Sequence, residues 1–327
     1  MKILSIVLLL VCSGFPVSAA KKYSYFRVGN ANNVDTSTTP GTVLMGGGTD
    51  VDAAFQWMCQ RSGNGDFLVI RATGTDAYNP YIQQLCPNEN SVATLIIPTR
   101  ATANDPAVAS VILHAEALWI AGGDQSDYIN FWQGTPVQDA IRNVITSGAP
   151  IGGTSAGMNV LTQFVYSALA SQGATSSQSL ANPFNRYITL GRDFENITGL
   201  QGIIGDPHFV TRDRMGGDLA FMCHIYTNGW SNAPRGIAID EQTALLIDAT
   251  GHGSLVGSST AYFMQAAGAP EVCAPKTPLT YTNIAVYKIT TSGSFDLATW
   301  TGTGGAAYTV SANAGVLSST QPGGSAY

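Results

Sequence analysis

The sequence predicts an α/β protein: an open, mostly parallel sheet flanked by helices, with a β-rich C-terminal extension. Three observations lead there. Runs such as Phe67-Leu68-Val69-Ile70 and Val92-Ala93-Thr94-Leu95-Ile96-Ile97 are continuously apolar, as strands buried on both faces of a parallel sheet must be. Segments of helical spacing alternate with them in a β-α-β-α rhythm. After about residue 236 that rhythm gives way to short strand-like runs in close succession.

In chain order, Thr42-Val43-Leu44-Met45 predicts a strand running into Gly46-Gly47-Gly48. A helix follows, capped by Thr49, with Val51, Ala54, Phe55, Met58 and Cys59 on one face and Gly63 as its stop. Leu118-Trp119-Ile120-Ala121 is a further strand, ending in Gly122-Gly123-Asp124-Gln125. Thr135, Pro136 and Gln138 predict a helix start of capping-box type, with Val137, Ala140, Ile141, Val144 and Ile145 facing inward and Gly148 past the end. Residues 167–182 form a Ser/Gln/Ala-rich connection without periodicity. Ile237-Ala238-Ile239, Ala244-Leu245-Leu246-Ile247, Ser254-Leu255-Val256, Ala261-Tyr262-Phe263 and Asn283-Ile284-Ala285-Val286-Tyr287 predict strands, and residues 271–327 hairpins and loops added to the sheet edge. In such a fold the ligand crevice lies at the carboxyl ends of the parallel strands.

Of 327 residues 45% are hydrophobic and 11% charged, enough apolar material for a substantial core and too much for disorder. A net charge of −6 argues against a phosphate-neutralising surface, so a small or peptidic partner is expected rather than nucleic acid. Lys2, the apolar run Ile3–Cys12, Pro16 and the small residues Ser18-Ala19-Ala20 give residues 1–20 the three-part pattern of a secretory signal. The run is shorter than the roughly 20 residues of a spanning helix, so no stable membrane anchor is expected. The expected location is secreted or extracellular, or periplasmic in a Gram-negative source. Without Cys12 four cysteines remain, and three disulfide connectivities are available to them. Cys59–Cys86 with Cys223–Cys273 is favoured because each pair stays within its own region; free thiols are the alternative. The histidines His114, His208, His224 and His252 lack metal-ligand spacing, so neither a metal nor another cofactor is expected. A homodimer is compatible with the sequence.

The segment richest in chemistry is Gly153-Thr154-Ser155-Ala156-Gly157, a G-x-S-x-G followed by Met158, Val160, Leu161 and Phe164 at helical spacing. A sharp strand-to-helix turn needs glycines on either side of its strained central residue and leaves that residue exposed. Ser155 would stand there, with the Ala156 N–H able to donate to a developing oxyanion. Serine needs a base, and His208, after the apolar run Ile203-Ile204, is the best placed histidine. In Arg212-Asp213-Arg214 two guanidinium groups suit an anionic substrate group, with a solvated ion-pair cluster as the equal alternative.

Gly122-Gly123-Asp124-Gln125, Gly152–Gly157, Asp206-x-His208-Phe209 and Arg212-x-Arg214-Met215 occur in that order, and together they resemble the cyanophycinase/dipeptidase E family of serine peptidases. The resemblance covers roughly residues 40–265. It implies a flavodoxin-like sheet of class I glutamine amidotransferase type, with a peptidase domain over residues 21–270. By this likeness Ser155 is the nucleophile and His208 the base. Gly123 and Ala156 form the oxyanion hole, and Asp124, Gln125, Arg212 and Arg214 meet the substrate. The likeness also implies a peptide or amino-acid-polymer substrate cut at acidic, aspartyl-type residues. The family's third catalytic member is a glutamate expected after the nucleophile helix, yet Ser176-Ser177-Gln178-Ser179 carries no carboxylate. Gln178 or Asp206 is therefore expected to hold the imidazole, with Asp193 and Glu195 as further stand-ins. Pro207 and Gly217 replace a Gln and an Arg of the family pattern. The leading expectation is a secreted serine hydrolase; the alternative is a catalytically impaired peptidase fold that binds an anionic peptide or amino acid.

Overall fold

A computed structural model describes residues 23–170 and 172–327; the expected signal segment, residues 1–20, lies outside the described residues. Strand and helix alternate through the first half. The elements are β1 (Ser24–Gly29), β2 (Gly41–Met45), α1 (Asp52–Ser62), β3 (Asp66–Arg71), α2 (Tyr78–Leu85), β4 (Ser91–Ile96), α3 (Arg100–Ala103) and α4 (Pro106–Ile112). Next come β5 (Ala117–Ile120), α5 (Gln125–Trp132), α6 (Pro136–Thr146), β6 (Ile151–Thr154) and α7 (Ala156–Asn159). The second half runs β7 (Phe164–Tyr166), α8 (Ser176–Ala181), β8 (Leu190–Arg192), β9 (Ile203–Pro207), α9 (Met215–Thr227), β10 (Arg235–Ile239), β11 (Thr243–Asp248), β12 (His252–Gly257) and β13 (Ala261–Gln265). It closes with β14 (Tyr281–Ile289), β15 (Ser294–Asp296), β16 (Thr301–Thr303), β17 (Ala306–Asn313) and β18 (Val316–Ser319).

Strand order among the described residues is β1-β4-β3-β5-β6-β2-β11-β12-β15-β16 in one sheet and β18-β17-β14-β13-β10-β9-β7-β8 in the other. Parallel pairing is confined to β4-β3-β5-β6-β2 and to β7-β9-β10. The antiparallel strands of residues 281–319 extend both sheets.

The first parallel block is buried along almost its whole length because side chains alternate between two covered faces. Val43, Met45, Phe67, Val69 and Trp119 pack with Phe55 and Met58 of α1, while Leu44, Leu68, Ile70, Leu118 and Ile120 pack with Val108, Ile112, Ile141 and Val144 of α4 and α6. Cys59 in α1 is bonded to Cys86 after α2, and Cys223 in α9 to Cys273, with Cα atoms 6.2 and 6.1 Å apart. This is the pairing the sequence favours. Closing loops of this length removes about 3–4 kcal/mol each of unfolded-state entropy in the chain-entropy view. Among the described residues no helix is long and apolar enough to cross a membrane.

Three local expectations are corrected. The first helix is preceded by Val51, without a side-chain cap, rather than capped by Thr49. Gln138 does not complete a capping box with Thr135: its amide oxygen accepts the Gly134 N–H at 2.7 Å and its amide nitrogen donates to the Phe194 carbonyl, while Thr135 Oγ1 donates to the Trp132 carbonyl. The helix after Ser155 ends at Asn159, and Phe164 begins β7 instead. Its apolar residues are wanted for burial between the sheets, where helical spacing is incidental.

Candidate active site

Ser155 follows β6 at φ 53°, ψ −115°, a left-handed conformation that costs a non-glycine residue about 1–3 kcal/mol. The surroundings hold it there. Its N–H donates to the Met45 carbonyl at 3.0 Å and its carbonyl accepts the Asn159 N–H at 3.1 Å. The flanking glycines are required by close approach: a Cβ on Gly157 would lie 2.0 Å from the Ile120 carbonyl oxygen, and one on Gly153 would lie 2.6 Å from the Gly157 carbonyl carbon. The turn is therefore the strained elbow that G-x-S-x-G predicts.

The imidazole comes from the other sheet. β9 and β10 run parallel with Pro207 level with Ile239, so His208 and the pair Asp240-Glu241 leave adjacent strands at the same end. His208 also has a positive φ, 55°, and its N–H donates to the Gly46 carbonyl at 2.8 Å. Gly47, at φ 93°, gives the ring its room: a Cβ there would lie 2.3 Å from the His208 Cε1. His208 Nε2 then stands 2.7 Å from Ser155 Oγ, and Nδ1 stands 2.6 Å from Glu241 Oε1. A carboxylate only accepts, so Nδ1 carries the proton and Nε2 presents its lone pair to the serine hydroxyl. Burial lowers the imidazole's pKa, Arg212 and Arg214 lower it further, and the Glu241 hydrogen bond and charge oppose them. The balance favours the neutral ring, the form that can take a proton.

Glu241 is the member that sequence reasoning missed. The signal was a carboxylate pair directly after the apolar strand Ile237-Ala238-Ile239. The two acids divide the work. Asp240 Oδ1 accepts from Val210 N, Thr211 N and Thr211 Oγ1 at 2.9–3.1 Å, and Oδ2 accepts from Ser259 Oγ at 2.8 Å. Burial alone raises the Asp240 pKa, but these hydrogen bonds prevail and hold it below the usual carboxylate value. Asp240 thus fixes the turn after His208 while Glu241 fixes the ring.

The expected third members are corrected accordingly. Gln178 closes a capping box at the start of α8: its Oε1 accepts the Thr175 N–H at 3.0 Å and its N–H donates to Thr175 Oγ1 at 3.3 Å. Asp206 is fully buried, its Oδ1 accepting from Arg214 Nε at 2.6 Å. Asp193 is exposed beside Arg192 and Gln163, and Glu195 is buried 3.6 Å from Arg142. None of the four reaches the imidazole.

On the other side of Ser155 lies the Gly122-Gly123 loop; a Cβ on Gly122 would be 3.6 Å from the Ser155 Cβ. Tyr128 O–H braces it by donating to the Ala121 carbonyl at 2.7 Å. Asp124 caps α5, accepting the Ser126 N–H at 2.9 Å, and Gln125 donates to the Tyr166 carbonyl at 3.2 Å. Arg212, Asp213 and Arg214 line a small cavity of about 30 Å³ together with Tyr166, Ser176, Gly217 and Phe221. Arg214 lies 5.6 Å over the Tyr166 ring and faces two buried carboxylates, Asp206 and Asp218. Burial, reinforced by Asp206, pushes the Asp218 pKa well up, and the ion pair that Arg214 makes is with Asp206. Arg212 stays exposed.

Residues 91–252 match the model of Peptidase family S51, a span that contains Ser155, His208 and Glu241. The chain belongs to that family. Membership makes this S51 protein a serine-type peptidase by class. A solved peptidase from an acI-B1 Actinobacterium has the same fold: the match covers 73% of this chain and 98% of that one at 17% identity and a TM-score of 0.50. A protein assigned as a peptidase E of Listeria monocytogenes EGD-e aligns over 67% of this chain and 99% of its own at 14% identity, with a TM-score of 0.42. No curated protein sequence matches. S51 peptidases have a class I glutamine amidotransferase-like fold, in agreement with the parallel sheet, flanking helices and β-rich C-terminal region described above.

Proposed function

We propose that this S51 protein is a secreted hydrolase that cleaves peptide or isopeptide bonds at acidic, aspartyl-type residues through an acyl-enzyme on Ser155. The observation that carries the reading is the Ser155–His208–Glu241 relay, closed at 2.7 and 2.6 Å. His208 Nε2 takes the hydroxyl proton as Oγ attacks the carbonyl carbon. The amides of Gly123 and Ala156 receive the oxyanion. The proton then passes from Nε2 to the departing amine, and a water deprotonated by the same nitrogen releases the acid. Glu241 keeps the ring in its Nδ1–H tautomer and stabilises the imidazolium that forms in each step.

Arg212, with Arg214 and Gln125 behind it, receives the acidic side of the substrate. The two disulfides suit a non-cytoplasmic environment, and they support export together with the signal-like residues 1–20. The case for an impaired binding protein rested on the lack of an orienting acid, and Glu241 fills that position.

A fluorophosphonate probe tests the chemistry: Ser155 is expected to be labelled, and labelling to disappear in Ser155→Ala. Absence of label in the native chain at every pH between about 5 and 9 overturns the hydrolase reading. Substrate class is tested by comparing aspartyl- with alanyl-p-nitroanilide, the first being the faster.

A further inference from the structure

We infer that Tyr327 is a positioning residue that holds the Asp213 carboxylate away from Arg212 and Arg214 and so keeps the anion site open; this rests on the function proposed above. The loop from Phe209 to Met215 leaves His208 and returns at the start of α9. Its first half is pinned by Asp240, through Val210 and Thr211. Its second half carries the arginines, and there the pin comes from a residue more than a hundred positions further along the chain.

The Tyr327 phenol donates to Asp213 Oδ1 at 2.7 Å and accepts the Met215 N–H at 2.9 Å. Its ring packs nearly perpendicular to Phe209 and Tyr262, with centroids 5.4 and 6.3 Å away. One side chain thus touches the loop beside the base and on both sides of Arg214. Ser176 Oγ adds a bond to the Asp213 carbonyl at 2.5 Å. Asp213 has φ 47°, a conformation that needs such support.

The chemistry of the triplet explains why the support matters. Asp213 lies between two arginines in sequence, and a carboxylate free to turn pairs with the nearest guanidinium. Such a pair competes directly with an anionic substrate. Asp213 lines the same cavity, yet with its carboxylate bonded to the phenol it makes no ion pair within 4.0 Å with either arginine, and the Arg212 guanidinium makes none among the described residues.

The test compares the phosphonylation rates of Ser155 by an aspartyl phosphonate diphenyl ester and by its alanyl counterpart. Tyr327→Phe keeps the ring contacts and removes both phenol hydrogen bonds; it is expected to lower the aspartyl/alanyl ratio about tenfold while the alanyl rate holds. Adding Asp213→Asn, which removes the competing charge, is expected to restore the ratio. An unchanged ratio in Tyr327→Phe, an equal fall with both probes, or no restoration by Asp213→Asn overturns the inference. A native chain that neither probe labels overturns the hydrolase reading itself, and a native ratio near one overturns its acidic substrate class.

Discussion

Ser155 and His208 both leave the end of a parallel strand with φ near +55°, at 53° and 55°, yet they are held there by different means. The serine turn owes its shape chiefly to sequence neighbours, with one bond from outside, the Ser155 N–H to the Met45 carbonyl. Gly153 and Gly157 flank it, and their missing Cβ atoms are what let β6, α7 and the end of β5 close up. The histidine turn has no such flanks. It is imposed from outside, by the Gly46 carbonyl, by the vacant space over Gly47 and by Asp240 and Glu241 from the next strand. A turn shaped chiefly by its neighbours tolerates more change in the distant sequence, whereas an imposed one fails when any of several remote residues is altered.

The comparison can be broken most severely at the reacting atoms. Ser155→Ala and His208→Ala should each cost about 10⁶ in kcat, and the double variant no more than either, because the pair acts as one unit; additive losses in steady-state assays would mean that the two groups work separately. Gly47→Ala should come next. Its methyl group meets the His208 ring at 2.3 Å, and a displacement of about 1 Å costs on the order of 10² in kcat/KM. Stability measured by urea unfolding should fall less than activity does.

Arg212→Gln sharpens the electrostatic half. In the native chain burial, aided by Arg212, keeps the His208 pKa below its usual value of about 6.5, so kcat/KM should rise along an acid limb lying below that pH. Removing the positive charge makes protonation easier and should move the limb upward; a downward shift contradicts the assignment of His208 as base. The smallest effect is expected at Gln178→Ala, which loses one side of a helix cap: about 1 kcal/mol in thermal melts, with turnover within about twofold of native.

The same contrast explains how much could be read beforehand. Ser155 was legible because the glycines that its turn needs are its neighbours in sequence, and the strands β2 to β5 because continuous apolar runs have few other uses. His208 was legible only as the best placed of its kind. Glu241 was not, since Ile237-Ala238-Ile239 does not say whether its partner runs parallel or antiparallel, and the parallel pairing with β9 is what carries the carboxylate to the imidazole. Thr175-x-x-Gln178 carries a helix-capping signature, but the short helix α8 has no apolar period to mark it as a helix. Helix α9 was obscure for another reason: it is buried on nearly every side, so it shows no amphipathic period to read.

Glu241 holds the imidazole that faces Ser155, and the second-order rate of Ser155 phosphonylation in Glu241→Gln measures its contribution. A fall of about four orders of magnitude from the native rate is predicted, since an amide no longer enforces the Nδ1–H tautomer or balances the imidazolium. A variant labelled as fast as the native chain would contradict that role.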